Sequence, residues 1–148
     1  MHAMRAILQR VSQAKVTVNG AVTGQIAQGY VIFLGVGQTD TKENAEKLAD
    51  KIQKLRLFAD DEGKTNRSIA DIQGGVLVIS QFTLYADCKK GTRPSFVDAA
   101  PPEMANELYE YFLYLCKARF SRTEHGVFGA HMQVALENDG PFTIYLES

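Results

Sequence analysis

A chain of 148 residues, 45% hydrophobic and 22% charged, has the size and composition of one soluble globular domain able to bury a core. It contains no run of about 18 apolar residues, which excludes a membrane-spanning helix. The formal charge of −1 excludes the overall basic excess that usually marks a nucleic-acid-binding domain.

The start, Met1-His2-Ala3-Met4, lacks the basic-then-apolar layout of a secretory signal. A second Met just before Arg5-Ala6-Ile7-Leu8 marks residues 1–3 as an expression remnant and leaves 4–148 as a single domain. Cys88 and Cys116 are too few for a disulfide framework, so the chain reads as cytosolic. Basic residues do cluster locally. Lys89, Lys90 and Arg93 share one short loop, while Lys117, Arg119 and Arg122 crowd a helix end, where the helix dipole explains them.

In chain order, the opening stretch is β. Ala14, Val16 and Val18 alternate with polar residues, and Ile7 and Val11 keep the opposite parity, so a bulge or bend is expected near Ser12-Gln13. Asn19-Gly20 is a two-residue hairpin turn leading into a strand from Ala21 to about Ala27. Val31-Ile32-Phe33-Leu34-Gly35-Val36 reads as a strand buried on both faces. A helix follows, with Asp40 and Glu43 as its capping box and Ala45, Leu48, Ala49, Ile52 and Leu55 as its apolar stripe. Residues Asp60 to Lys64 form a turn, and Val76-Leu77-Val78-Ile79 is another buried strand running into Ser80-Gln81-Phe82-Thr83-Leu84. A second helix starts near Pro101-Pro102-Glu103, with Met104, Leu108, Tyr111, Phe112 and Leu115 inward. The chain closes as a hairpin: Met132, Val134 and Leu136 face Phe142, Ile144 and Leu146 across an Asn138-Asp139-Gly140-Pro141 turn. The fold class is α+β, with curled, antiparallel-rich, barrel-like β-sheets and two main helices.

Several residue patterns bear on chemistry. Glu124, His125 and His131 lack the spacing of a compact metal set, so no metal is expected. Gly35-Val36-Gly37 lies between strand and helix, but position 40 is Asp, so a nucleotide loop is incomplete and no cofactor is expected. Ser80-Gln81-Phe82-Thr83 ends an apolar strand without a turn signal. Either the strand surfaces there, with Gln81 and Thr83 facing water, or the cluster presents backbone N–H groups to an oxyanion. No nucleophile elbow surrounds Ser80 and no His lies nearby in sequence.

Ser80-Gln81-Phe82-Thr83-Leu84 and Asn138-Asp139-Gly140-Pro141-Phe142-Thr143 resemble the two signature motifs of the D-aminoacyl-tRNA deacylase family, in the family's order. The similarity runs through Gln9-Arg10-Val11, Arg93-Pro94-Ser95-Phe96 and Met132-Gln133-Val134, and so spans nearly all of 4–148. It implies a metal-independent hydrolase in translation quality control. Such an enzyme cleaves the ester of D-aminoacyl-tRNA, with glycyl-tRNA as an expected leak, and works as a homodimer with active sites at the interface. On the same resemblance, Ser80, Gln81, Phe82 and Thr83 bind the terminal adenosine and the ester carbonyl. Gly140 and Pro141 form a cis element that enters the partner's pocket and reads chirality, and Arg10 holds it. Phe128 and Met132 are pocket walls, and Ala100 lines the amino-acid entrance. Thr83 is either the nucleophile or a positioning group, the second being favoured because no base stands beside it. Two rival readings remain: a small-ester esterase using Ser80 or Thr83, and a non-catalytic RNA-binding module.

Overall fold

The computed structural model describes residues 3–148. Met1 and His2, and with them most of the expected remnant, lie outside the described residues. Strand β1 (Arg5–Val18) is the spine of the molecule. On one edge its first half pairs with β3 (Gly29–Gly35) and its second half with β2 (Ala21–Ile26). The Asn19-Gly20 turn has positive φ at both residues, 49° and 81°, which matches the twist that a two-residue hairpin requires. The expected change of phase is present. Val11 on odd parity and Ala14 and Val16 on even parity pack into the same core cluster, with register shifts either side of Val11. Ile7 and Val18 are only half-buried, so the inward residues of the first half are Ala6 and Leu8 instead.

Two crossovers make the rest of the main sheet parallel. Helix α1 (Lys42–Lys54) and a small β4–β5 hairpin (Arg56–Ala59, Thr65–Ser68) lead to β6 (Gly75–Ser80), which lies parallel to β3. Helix α2 (Pro102–Arg119) leads to β7 (Arg122–His125), parallel to β6. The order β2-β1-β3-β6-β7 curls until β2 and β7 face each other, where the Gln25 amide donates to Glu124 Oε1 at 3.4 Å. The sheet is therefore a nearly closed, barrel-like one of mixed direction. Sequence reading missed β4, β5 and β7: β5 and β7 are four polar residues each with no apolar alternation, and β4, Arg56-Leu57-Phe58-Ala59, is too short for its apolar run to show a period.

Both faces of the central strands are covered, which explains their unbroken apolar runs. Tyr30, Ile32, Leu34, Val76 and Val78 pack against the helices, while Val31, Leu77 and Ile79 join Val11, Val16 and Ile26 inside the curl. Helix α1 buries Ala45, Leu48, Ala49 and Ile52 as its stripe indicates. Its cap differs: Thr41 is the N-cap, and its amide donates to Asn44 Oδ1 at 2.8 Å. Asp40 is instead buried one residue earlier and accepts the Gly37 amide at 2.7 Å, so it ties the loop after β3. Helix α2 begins at Pro102 and buries Leu108, Phe112 and Leu115 of its expected stripe together with Ala105, Tyr109, Leu113 and Cys116, while Met104 and Tyr111 are half-buried against the core.

The expected terminal hairpin does not form. Residues 133–147 make one strand, β8 (Gln133–Glu147), paired antiparallel to β1 along its length. Asn138 to Pro141 do not turn the chain back, because the segments on both sides find the same partner strand. They form an outward excursion: two steps along β1, Gln9 to Val11, correspond to five along β8, Thr143 to Asn138.

Candidate active site

Strand β6 stops at Ser80, where the Gln81 amide donates to the Leu34 carbonyl at 2.8 Å. The chain then winds into a 3₁₀ turn over Phe82–Tyr85 instead of continuing as an alternating strand. Arg5 holds this turn, donating from Nη1 to the Leu84 carbonyl at 2.8 Å with its guanidinium 4.3 Å from the Tyr85 ring centre. The Phe82 and Thr83 amides open the turn, where helical geometry supplies no acceptor, and no carbonyl outside the turn takes them among the described residues. The Thr83 hydroxyl is exposed and accepts from the Gln81 side-chain amide.

Beside the turn opens a cleft of about 660 Å³. One wall is Ser80, Gln81 and Phe82. A second comes from the loop entering α2, with Ala99, Ala100 and Pro101, seated by the Ala100 amide on the Val36 carbonyl at 2.9 Å. The third is the stretch between β7 and β8, with Phe128 and Met132. The Phe128 ring lies 5.8 Å from that of Tyr109, and Gly126 donates to the Val78 carbonyl at 3.1 Å, so this wall is anchored on the core. Phe82, 54% exposed, stands edge-on to Phe96 at 5.0 Å at the mouth. His131 also lines the cleft and brings an imidazole to it. Among the described residues no group of three His, Cys, Asp or Glu side chains is placed to hold a metal ion.

Six of the ten site residues expected from sequence thus share one cleft: Ser80, Gln81, Phe82, Ala100, Phe128 and Met132. Thr83, the residue after Phe82 in the 3₁₀ turn, does not line it. Arg10, Gly140 and Pro141 do not line it and form a second cluster on the β8 excursion. The Gly140–Pro141 bond is cis and both residues are exposed. Arg10, its side chain only 16% exposed, donates from Nε to the Asp139 carbonyl at 2.9 Å and from Nη1 to the Leu57 carbonyl at 2.7 Å. Its guanidinium covers the Phe142 ring at 4.4 Å. Sequence reading missed Phe96, Ala99, Pro101 and His131. A small residue or lone His carries no local signal that it lines a cleft assembled from three distant segments.

Comparison with known proteins places this arrangement. A family model described as D-Tyr-tRNA(Tyr) deacylase matches residues 7–147. The chain belongs to the D-Tyr-tRNA(Tyr) deacylase family. Similar proteins named D-aminoacyl-tRNA deacylase include one from Deinococcus deserti (strain DSM 17065 / CIP 109153 / LMG 22923 / VCD115), 57% identical with 97% of this chain and 99% of that one covered. Another, from Thermosipho africanus (strain TCF52B), is 53% identical over 98% of this chain and 97% of its own. Among solved structures, one described as a c-Myc DNA unwinding element binding protein superposes with a TM-score of 0.92 at 41% identity, covering 97% of this chain and 98% of that one. A probable eukaryotic D-amino acid tRNA deacylase shares the fold, with a TM-score of 0.87 at 17% identity over 99% and 100% of the two chains. Membership in the deacylase family therefore rests on nearly the whole chain.

Proposed function

We propose that this protein hydrolyses the ester of D-aminoacyl-tRNA, releasing the D-amino acid and free tRNA, as a homodimer whose two sites are each built from both copies. The observation that carries the reading is the clustering of Ser80, Gln81, Phe82, Ala100, Phe128 and Met132 around one cleft in a member of this deacylase family. The 3₁₀ turn that follows the Ser80 and Gln81 wall opens with the N–H groups of Phe82 and Thr83. There they suit the oxygen that becomes negative when water attacks the ester carbonyl. Among the described residues the Thr83 hydroxyl pairs with the Gln81 amide, a donor that cannot take its proton, and a hydroxyl without a base is a poor nucleophile. Water activated by a ribose hydroxyl of the substrate fits better, with the ribose oxygen leaving as the ester breaks.

Reading the hand at Cα requires rigid groups around that carbon. Gly140 and Pro141 are such a pair, but they lie outside their own chain's cleft and are exposed, which suits insertion into the cleft of a second copy. Backbone carbonyls there would accept from the substrate ammonium and occupy the place of an L side chain, so rejection comes from a clash. Glycine, having no Cβ, escapes that clash, and glycyl-tRNA is the expected leak.

The test is deacylation of matched D- and L-aminoacyl-tRNA beside a small D-amino-acid ester. Rapid loss of the D-aminoacyl-tRNA alone supports the reading. Equal turnover of the small ester points to a simple esterase, and binding without turnover to a nucleic-acid module. The similarity to a structure described as a DNA unwinding element binding protein is the reason to include that last arm.

A further inference from the structure

We propose that Asn138 and Gln9 are positioning residues that lock the Gly140–Pro141 element, an inference that rests on the role proposed above for that element. The excursion from Asp139 to Phe142 has no ladder partner on β1, so its shape depends on what closes its base and covers its top. Arg10 covers the top. The base is closed by side chains. Asn138 Oδ1 accepts the Phe142 amide at 2.6 Å, joining the residue before the excursion to its last one. The Asn138 amide nitrogen then donates to Gln9 Oε1 and, at 3.1 Å, to the Thr143 hydroxyl. That hydroxyl donates in turn to Gln9 Oε1 at 3.3 Å.

Both polar atoms of the Asn138 side chain are thus used, and Gln9 enters the network as an acceptor of two hydrogen bonds. Asp-Gly at a surface loop would ordinarily give a mobile tip. Here the tip is held at its base by β1 and at its top by Arg10, itself tied to the Leu57 carbonyl of β4. Groups that must sit within a few tenths of an ångström of a substrate carbon need such support, because misplacement by about 1 Å costs about a hundredfold in rate.

The experiment compares Gln9→Ala, Gln9→Glu and Asn138→Ala in the full-length protein. Gln9→Ala and Asn138→Ala are expected to lower kcat on D-aminoacyl-tRNA by about tenfold or more, with KM moving less than about threefold. The D/L ratio should fall as well. Gln9→Glu keeps an acceptor oxygen at the same place and is expected to stay within about threefold of the parent. Gln9→Ala at full rate, or Gln9→Glu as weak as Gln9→Ala, overturns the proposal. A parent protein inactive on D-aminoacyl-tRNA sinks the proposed function instead, so the latch is also read without turnover. Hydrogen exchange at the Phe142 amide should speed up by at least about tenfold in Asn138→Ala. An unchanged exchange rate overturns the latch whatever the activity.

Discussion

Replacing Gly140 with Ala separates the cost of the Gly-Pro element to folding from its worth in the reaction. Gly140 has φ +141°, a region that side chains with a Cβ rarely adopt. A Cβ built there meets Arg10 Nη2 and the Phe142 amide nitrogen at 3.1 Å and Phe142 Cβ at 3.3 Å. The arginine tip can shift, but the backbone nitrogen cannot, so the conformational cost is about 1–3 kcal/mol. Against a typical stability of about 5–15 kcal/mol the variant still folds. At about 2–4 °C per kcal/mol for a chain of this size, its melting point falls by about 4–8 °C for a loss of about 2 kcal/mol. If the element sits against the substrate Cα, a displacement of about 1 Å lowers kcat about a hundredfold, which is far more than the stability loss explains. Calorimetry and single-turnover deacylation on one preparation read both quantities. A variant that melts as expected yet deacylates D-aminoacyl-tRNA at the parent rate refutes the reasoning.

Thr83→Ala removes one neutral hydrogen bond, worth about 1 kcal/mol, so the rate should fall about five- to tenfold. An obligatory nucleophile would instead cost well over about a thousandfold, and single-turnover kinetics with a search for an acyl-enzyme separates the two. Lys89 and Lys90 are exposed on the loop that leads to Phe96, and changing both to Ala should lower the salt slope of tRNA affinity by about 0.7 for each phosphate no longer neutralised. Titrations at several salt concentrations check this, and an unchanged slope removes that loop from the binding surface. Gly29→Ala should fail to fold, because a Cβ there would lie 1.8 Å from the Gly75 carbonyl oxygen in the β3–β6 pair. The loss exceeds about 4 kcal/mol, and a soluble variant with the parent's circular dichroism would contradict it.

The elements with strong apolar periodicity were legible in the sequence: β1 with its bulge, the Asn19-Gly20 turn, β3, β6 and both helices. What was not legible depended on partners distant along the chain. Nothing local to Asn138-Asp139-Gly140-Pro141 distinguishes a turn from an excursion, since the difference is whether the following segment pairs with 133–137 or returns to β1. Likewise Asp40 looks like a cap until the Gly37 amide claims its carboxylate. The cleft follows the same rule. Ser80 to Thr83 stood out because polar residues ended an apolar strand without punctuation, whereas Ala99 and Pro101 became visible as walls only once β6, α2 and the segment before β8 were in place.

The cleft and the Gly140–Pro141 element lie apart on one chain, and the proposed site exists only where two copies bring them together. Complementation between two defective proteins measures this directly. Ala130→Trp fills the cleft but leaves the β8 excursion intact, while Gly140→Ala spoils the excursion but leaves the cleft. Each alone should be nearly inactive on D-aminoacyl-tRNA. In a two-fold dimer formed by co-expressing them, one of the two sites joins an intact cleft to an intact element, so about a quarter of the parent activity per protomer should return in an equal mixture. Activity no greater than the average of the two defective parents would contradict a site shared between copies.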